Sequence, residues 1–416
     1  TEILNHMQIK RDLYLHKLMQ SRHNGMIKIV TGMRRSGKSF LLFQLFADAL
    51  LQEGIPADHI IKINLEDRRN NELRDPDNLL HHIDSFIADN QMHYILLDEI
   101  QLVNEFEDVL NSYLSMHNAD VYVTGSNAKF LSKDVITEFR GRGQEIRIHP
   151  LSFAEYMSTK ENPNIYDMNH LLEYMQYGGL PKVATMNDDE ERVEYLKSLF
   201  LNTYIKDIKE RYAITLDADL EELIDVIASN IGSLTNPNKI QNTFQSVKQS
   251  KISVNTIKNY LDYMQDAFMI EKAVRYDIKG RKYISTPSKY YFDDLGLRNA
   301  RINFRQTEQT HLMENLIYNE LRLRGYSVDV GQVTYYTKDH QGKSERNVLE
   351  VDFVCNKGYN RIYIQSAFAL PTPEKQEQEL KSLKLIGDNF QKVVIAGGMQ
   401  PTYRNNDGIL ILNIYD

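Results

Sequence analysis

Two periods of hydrophobicity alternate along the first part of this chain. Short apolar runs rich in β-branched residues, "MIKIVT" (26–31), "YILL" (94–97) and "DVYVT" (120–124), suit buried strands. Between them, apolar residues recur every three to four positions. In "FLLFQLFADALLQ" (40–52), Leu41, Leu42, Leu45, Phe46 and Ala49 share one helical face, and residues 104–117 also read as helix. "EIRIHP" (145–150) adds a further strand. The pattern predicts an α/β core over residues 1–150.

After residue 150 the pattern changes. Residues 151–213 read as a small helical lid: "LSFAEYM" opens a helix, "YGGLP" (177–181) breaks the pattern, and "VEYLKSLFLNTYIKDIKERY" (193–212) is a long helix. Residues 214–292 predict a winged helix. A helix at 217–230 is followed by a helix-turn-helix in which Ser253 caps the second helix. Ile257, Tyr260, Leu261, Met264 and Phe268 face inward there, and Asn255, Lys258 and Asn259 face outward. "VRYDIKGRKYI" (274–284) then reads as a hairpin turning at Lys279-Gly280. Residues 293–416 begin a new unit in the order helix (311–325), strands, "EVDF", strand (361–368), helix (374–386), strand (392–397).

Composition narrows the class. The chain has 416 residues, 42% apolar and 25% charged, which is an ordinary globular mixture with room for several domains. No run is long and apolar enough for a membrane span, and no basic-then-apolar signal segment opens the sequence. With Cys355 as the only cysteine there is no intrachain disulfide, so a cytoplasmic location without membrane contact is expected. Net charge is −8, which argues against a simple polyanion binder. Residues 239–305, however, carry thirteen Lys/Arg against six Asp/Glu. Together with the outward Asn255, Lys258 and Asn259 and the Lys279, Arg281 and Lys282 tip, this makes duplex DNA an expected partner of the winged helix. The competing reading of that module is a protein-contact surface.

The chemistry begins at "GMRRSGKS" (32–39), a Gly-x4-Gly-Lys-Ser motif between a strand and a helix. In that context backbone N–H groups surround phosphate oxygens, which assigns Gly32, Met33, Arg34, Arg35, Ser36, Gly37, Lys38, Ser39 and Phe40 to nucleotide binding. Lys38 is expected at the β- and γ-phosphates of ATP and Ser39 on Mg²⁺. The strand ending in Asp98-Glu99 supplies a second metal-site residue, Asp98, and a base for the attacking water, Glu99. A base beside the metal-site Asp argues for hydrolysis. If the next strand lies beside this one, Ser126 or Asn127 would sense the γ-phosphate. Arg140 and Arg142 are candidates to act in trans on a neighbouring subunit's nucleotide, or are simply solvent-exposed.

The ordered set "TGMRRSGKS", "YILLDEIQ", "VTGSNAKFL", "GRGQEIRIHPLSFAEY", "YGGLP", "KYYFDDLGLRNA" and "HLMENLIYNEL" resembles a family of prokaryotic AAA+-like P-loop ATPases, related to archaeal-type and STAND ATPases. The resemblance covers nearly the whole chain. It implies a P-loop NTPase (ASCE/AAA+-like) core, a winged helix and a C-terminal PD-(D/E)xK-like domain. It also implies ATP hydrolysis in a homo-oligomer, with a ring as the expected form.

In that C-terminal fold, Glu314 and Asp352 match two acidic positions of a nuclease site. Gln365 and Ala367 stand where Glu and Lys would be, which removes one anionic ligand and the cation. The domain is therefore expected to be catalytically degenerate. The functional expectation is an Mg²⁺-dependent ATPase acting on DNA or a DNA-associated complex. The alternatives are a STAND-like nucleotide switch with a protein partner, and an active ATP-regulated nuclease.

Overall fold

Five strands of the N-terminal part line up in parallel: β1 (Ile27–Thr31), β2 (Ile60–Asn64), β3 (His93–Asp98), β4 (Ala119–Thr124) and β5 (Gly143–Arg147). In the computed structural model, which describes residues 9–125, 139, 141–165, 167–215, 217–248, 251–305, 308–338 and 342–416, their order is β2-β3-β4-β1-β5. β4 thus lies between β1 and β3, parallel to both. Alternation along each strand sets the two faces. Ile27 and Ile29, Ile61 and Ile63, Ile95 and Leu97, and Val121 and Val123 all join one buried cluster. That cluster includes Leu79 and Ile83 from the helix Pro76–Asp84, and Val109 and Leu110 from the helix Phe106–Leu114. On the other face Phe46 of the helix at 38–52 meets Tyr122, with ring centroids 4.6 Å apart. β2 has no counterpart among the expected strands; "IIKIN" is a short edge run.

The described residues divide into two compact units. The first holds this sheet, the chain up to Glu161, and the short segments Leu180–Thr185 and Asp266–Phe268. The second holds Asn162–Gly179, Met186–Gln265 and Met269–Asp416.

The second unit contains an eight-stranded sheet in the order β12-β13-β11-β10-β9-β8-β6-β7. Its strands are β6 (Ile270–Asp277), β7 (Lys282–Phe292), β8 (Ser327–Lys338), β9 (Ser344–Lys357), β10 (Asn360–Ala367), β11 (Gln391–Ala396), β12 (Tyr403–Arg404) and β13 (Leu410–Asn413). The hairpin expected as a wing is β6–β7, turning at 278–281. It is not a separate appendage: β6 pairs with β8 through Arg275↔Val330, so a boundary at residue 292 would cut a continuous sheet. The helix Val254–Asp266 starts as expected, with Ser253 Oγ accepting the Thr256 N–H at 3.0 Å. Asn255, Lys258 and Asn259 are exposed on it.

Candidate nucleotide site

β1 delivers the chain to a loop that only particular residues can form. Gly32 has φ +140°, and a Cβ there would stand 2.2 Å from the Ile148 carbonyl oxygen. Gly37 has φ +96°, ahead of the helix that starts at Lys38. The Lys38 side chain folds back over the loop, and its Nζ donates to the carbonyls of Gly32 and Met33, both at 3.0 Å. Burial pulls the Lys38 pKa down to about 8, against the opposing pull of Glu99 and Asp98. Ser36 is buried, with its Oγ donating to the Met33 carbonyl at 2.8 Å. Met33 is buried, Arg34 stands 3.6 Å from Glu66, and Phe40 is exposed. Arg35 takes a left-handed φ of 64°.

The end of β3 meets this loop from the adjoining strands. Ser39 Oγ donates to Asp98 Oδ1 at 2.9 Å, and Thr124 Oγ1 donates to the same oxygen. Burial raises the Asp98 pKa above the usual carboxylate range, while the hydroxyls of Thr124 and Ser39 pull the other way. Glu99 has a left-handed φ of 55°, and its N–H donates to Thr124 Oγ1 at 3.0 Å. The side-chain amide of Gln101 donates to the Glu99 carboxylate. A hydroxyl and a carboxylate at this separation are hard oxygen donors of the kind Mg²⁺ takes, so these residues fit the ion. Thr124, which ties Asp98 to Glu99, entered the sequence reading only as the start of a polar strand end.

Arg11 was not visible as a site residue at all. It is 4% exposed, and Nη1 donates to the Ser36 carbonyl at 3.0 Å while Nη2 donates to the His149 carbonyl at 2.7 Å. Nε donates to Glu155 Oε1 at 3.0 Å. The other oxygen of Glu155 accepts the Ser152 N–H at 2.9 Å, and Ser152 Oγ accepts the Glu155 N–H at 3.1 Å. That capping box was a readable signal in "SFAE"; nothing in the sequence ties Arg11 to it.

Asn127 and Arg140, with Ser126, lie outside the described residues. Arg142 is exposed, and its carbonyl accepts the Ile27 N–H at 2.8 Å. It therefore sits at the start of β1 and β5, at the sheet end opposite the phosphate loop, roughly 15 Å away at the usual rise per strand residue. From there it does not serve its own chain's loop.

In the second unit, Glu314 on the helix Gln309–Leu323 and Asp352 on β9 come together around a lysine that the sequence did not flag. Lys289 of β7 is 2% exposed, and its Nζ donates to Glu314 Oε1 at 2.9 Å and to Glu350 Oε1 at 2.5 Å. Tyr291 OH also donates to Glu314 Oε1, at 2.7 Å. Burial works against the charge on Lys289, but Glu314, Glu350 and Asp352 outweigh it and push its pKa up. Asp352 is buried and held well above the usual range, first by burial and then by Glu314. Its Oδ2 accepts the Ser366 N–H at 2.7 Å, and Gln365 Oε1 accepts the Asp352 N–H at 3.3 Å.

Among the described residues no helix is long and apolar enough to cross a membrane. Residues 24–157 match the family described as "AAA domain", and residues 168–308 match "Domain of unknown function (DUF8612)". An "Uncharacterized protein" of Haemophilus influenzae is 34% identical over 414 residues, 98% of each chain. "Uncharacterized protein MJ1544" of Methanocaldococcus jannaschii is 29% identical over 406 residues, 93% of this chain and 85% of that one. Among solved structures, the Orc1 protein of Aeropyrum pernix in complex with DNA is 12% identical, covering 71% of this chain and 93% of that one at a TM-score of 0.32. Cdc6p from Pyrobaculum aerophilum is 13% identical, covering 76% and 96% at a TM-score of 0.30. Likeness at that level adds nothing to what the sheet order already shows. Sheet order and phosphate loop agree with the domain match: residues 24–157 form an AAA domain with a P-loop NTPase fold, and the chain belongs to the same family as the Haemophilus influenzae protein.

Proposed function

We propose that this protein hydrolyses ATP with Mg²⁺ and couples the cycle to work on DNA or a DNA-associated complex. The observation that carries the proposal is the Ser39–Asp98 pair, 2.9 Å apart, with Glu99 next in the chain. Bound Mg²⁺ would neutralise charge developing on the phosphates. Ser39 and Asp98 hold the ion. The loop N–H groups and Lys38 hold the phosphates, and Lys38 exchanges its two carbonyl partners for phosphate oxygens. Thr124 fixes Asp98 and the Glu99 backbone, and Glu99 orients the water and takes its proton. The direction toward DNA rests on the basic balance of residues 239–305 and on the exposed Asn255, Lys258, Asn259, Lys279, Arg281 and Lys282. An oligomer, with Arg140 or Arg142 reaching a neighbour's nucleotide, completes the reading. Within it the Lys289 cluster is a core feature rather than a nuclease centre, because Lys289, Glu314 and Asp352 are withdrawn from solvent and only Glu350 is partly exposed.

One observation favours a second reading, a nucleotide-held switch with a protein partner: the Gln101 amide already engages the Glu99 carboxylate. Steady-state ATP turnover with and without duplex DNA separates the two. Stimulation by DNA supports the first; slow turnover with tight nucleotide retention supports the second. In either case Glu99→Gln should keep ATP binding within a few-fold and lower turnover by roughly 100-fold or more. Unchanged turnover in that variant would remove Glu99 as the base.

A further inference from the structure

At the end of the parallel sheet away from the phosphate loop, two histidines stand side by side. The β2–β3 register begins with Ile60↔Tyr94, so His59 and His93, each one residue earlier, are neighbours across the two strands. Their rings stack with centroids 4.3 Å apart and an interplanar angle of 21°. Both are buried within the fold, with the His59 side chain 10% exposed. The loop before β3 brings a carboxylate to them: Asp89 Oδ2 is 3.4 Å from His59 Nε2. One nitrogen from each histidine and one Asp89 oxygen all lie within 4.8 Å of one another.

The surrounding contacts hold His93 and Asp89 in place. His93 Nδ1 lies 2.8 Å from the Gln91 carbonyl oxygen. Donation of its proton there leaves Nε2 with a free lone pair, the tautomer a metal needs. Asp89 Oδ1 accepts the Gln91 N–H at 2.7 Å, which leaves Oδ2 for the histidines. Asn118 holds the same loop twice: its Nδ2 donates to the Asp89 carbonyl at 3.0 Å and its carbonyl accepts the His93 N–H at 2.8 Å. Asp-x-Gln-x-His is thus a short arch with Asp89 and His93 at its two ends, and His59 stands beside it just ahead of the edge strand.

We propose that His59, Asp89 and His93 form a binding site for a Zn²⁺-class ion, separate from the Mg²⁺ expected at the nucleotide. Two imidazoles and one carboxylate suit Zn²⁺ and disfavour Mg²⁺, which takes oxygen ligands in octahedral geometry. With metal–ligand bonds of about 2.0–2.1 Å, tetrahedral donors stand roughly 3.4 Å apart. The donors lie within 4.8 Å of one another, so the site must close by up to about 1.4 Å; the lone pairs of the stacked rings run nearly parallel, so metal binding requires the His59 ring to turn out of the stack while Asp89 rotates toward it. Asp89, 46% exposed, faces solvent, so the fourth position is open to water or to a ligand from a partner. Asp98 ends the strand that His93 begins, about five residues and roughly 16 Å away, so the two metals do not share ligands. The ion would fasten the edge strand β2 and the Asp89 arch to the neighbouring strand β3.

The test uses the full chain, treated with a chelator and desalted, then titrated with Zn²⁺ in the absence of nucleotide. One high-affinity equivalent is expected, and Co²⁺ in its place should give the intense visible absorption of a tetrahedral site. His59→Asn and His93→Ala should each raise the Zn²⁺ Kd by more than about 100-fold, since even supporting partners of metal ligands are worth 10- to 100-fold. Asp89→Asn should raise it by at least about 10-fold. Asp89→Asn changes a partly exposed side chain and His59→Asn a buried one ahead of the edge strand, and unchanged ATP binding reports that both fold. No uptake by the natural chain, or uptake unchanged in these two variants, overturns the proposal.

Discussion

At the scale of single residues, the phosphate loop is held by a group that lies outside its motif. Arg11 joins the Ser36 carbonyl, the His149 carbonyl and Glu155, so one buried guanidinium fixes the outer wall of the loop. Hydrogen bonds to a charged partner are worth about 1.5–3 kcal/mol. Arg11→Ala should therefore weaken ATP binding by roughly 10-fold or more, read by calorimetric titration, with Ser39 and Asp98 intact. Arg11→Lys should recover little, because a single ammonium does not reach three acceptors in different directions. The Lys289 cluster behaves differently. Replacing Lys289 by Met leaves Glu314, Glu350 and Asp352 without their cation, and breaking a buried pair from one side costs about 3–5 kcal/mol. Chemical denaturation should show a loss of that order. Adding Glu314→Gln to Lys289→Met should restore part of it.

At the scale of elements, the break read at "YGGLP" and the segment "DDLGLRNA" (293–300) turn out to be halves of one joint. Gly178, in "YGGLP", has φ +76°, and a Cβ there would lie 2.4 Å from Asp294 Oδ1. The next N–H, of Gly179, donates to Asp294 Oδ2 at 2.9 Å. Asp294 also caps the helix Leu295–Arg301 through the Leu297 N–H at 2.9 Å. Asn299 of that helix reaches back with its Nδ2 to the carbonyls of Met175 and Gln176, both at 2.9 Å. Asp294 is fully enclosed, and burial raises its pKa to about 6 despite the N–H groups of Leu297 and Gly179. The consequence for stability has a definite sign. Between the unfolded pKa of 3.8 and the folded value of about 6 the native state binds the extra proton, so stability falls as pH rises through this window. The total is roughly 3 kcal/mol for a shift of this size. Asp294→Asn keeps an acceptor oxygen for Leu297 and removes the charge. Its denaturation free energy should lose most of that slope between pH 4 and 6 relative to the natural protein. An unchanged slope would assign the pH dependence elsewhere.

For the molecule as a whole, charge is unevenly spread: −8 overall, with thirteen basic and six acidic residues in 239–305. If that region contacts duplex DNA through phosphates, log affinity falls linearly with log salt, at about 0.9 per neutralised phosphate. Binding measured between 50 and 200 mM salt should weaken steeply. The triple replacement of Lys279, Arg281 and Lys282 by Gln should flatten the slope by about 3. A salt-independent affinity, or a slope untouched by the replacement, would turn the region from DNA toward protein contact. The exposed Asn255, Lys258 and Asn259 would then be the surface to probe for a protein partner.

The residues of the candidate nucleotide site were legible because their pattern is local. Gly32, Gly37, Lys38 and Ser39 are bound to one loop, and Asp98 and Glu99 end an apolar run that could only be a buried strand. The parallel strands β1, β3 and β4 were likewise carried by apolar runs and β5 by the alternation in "EIRIHP", whereas β2, a short edge strand, was not read. What needed the tertiary structure were partners joined across long stretches of chain. Arg11 meets Glu155 144 positions on, and Gly179 meets Asp294 115 positions on. Lys289 meets Glu350 61 positions on, and the joining of β6–β7 to β8 ran across an expected domain boundary. A single arginine, lysine or aspartate carries no period and no motif. The sequence by itself determined a phosphate loop, the acidic pair that ends β3 and most of the order of elements. Only the tertiary structure decided which buried charges neutralise one another, because that depends on desolvation and on distances that no spacing along the chain encodes.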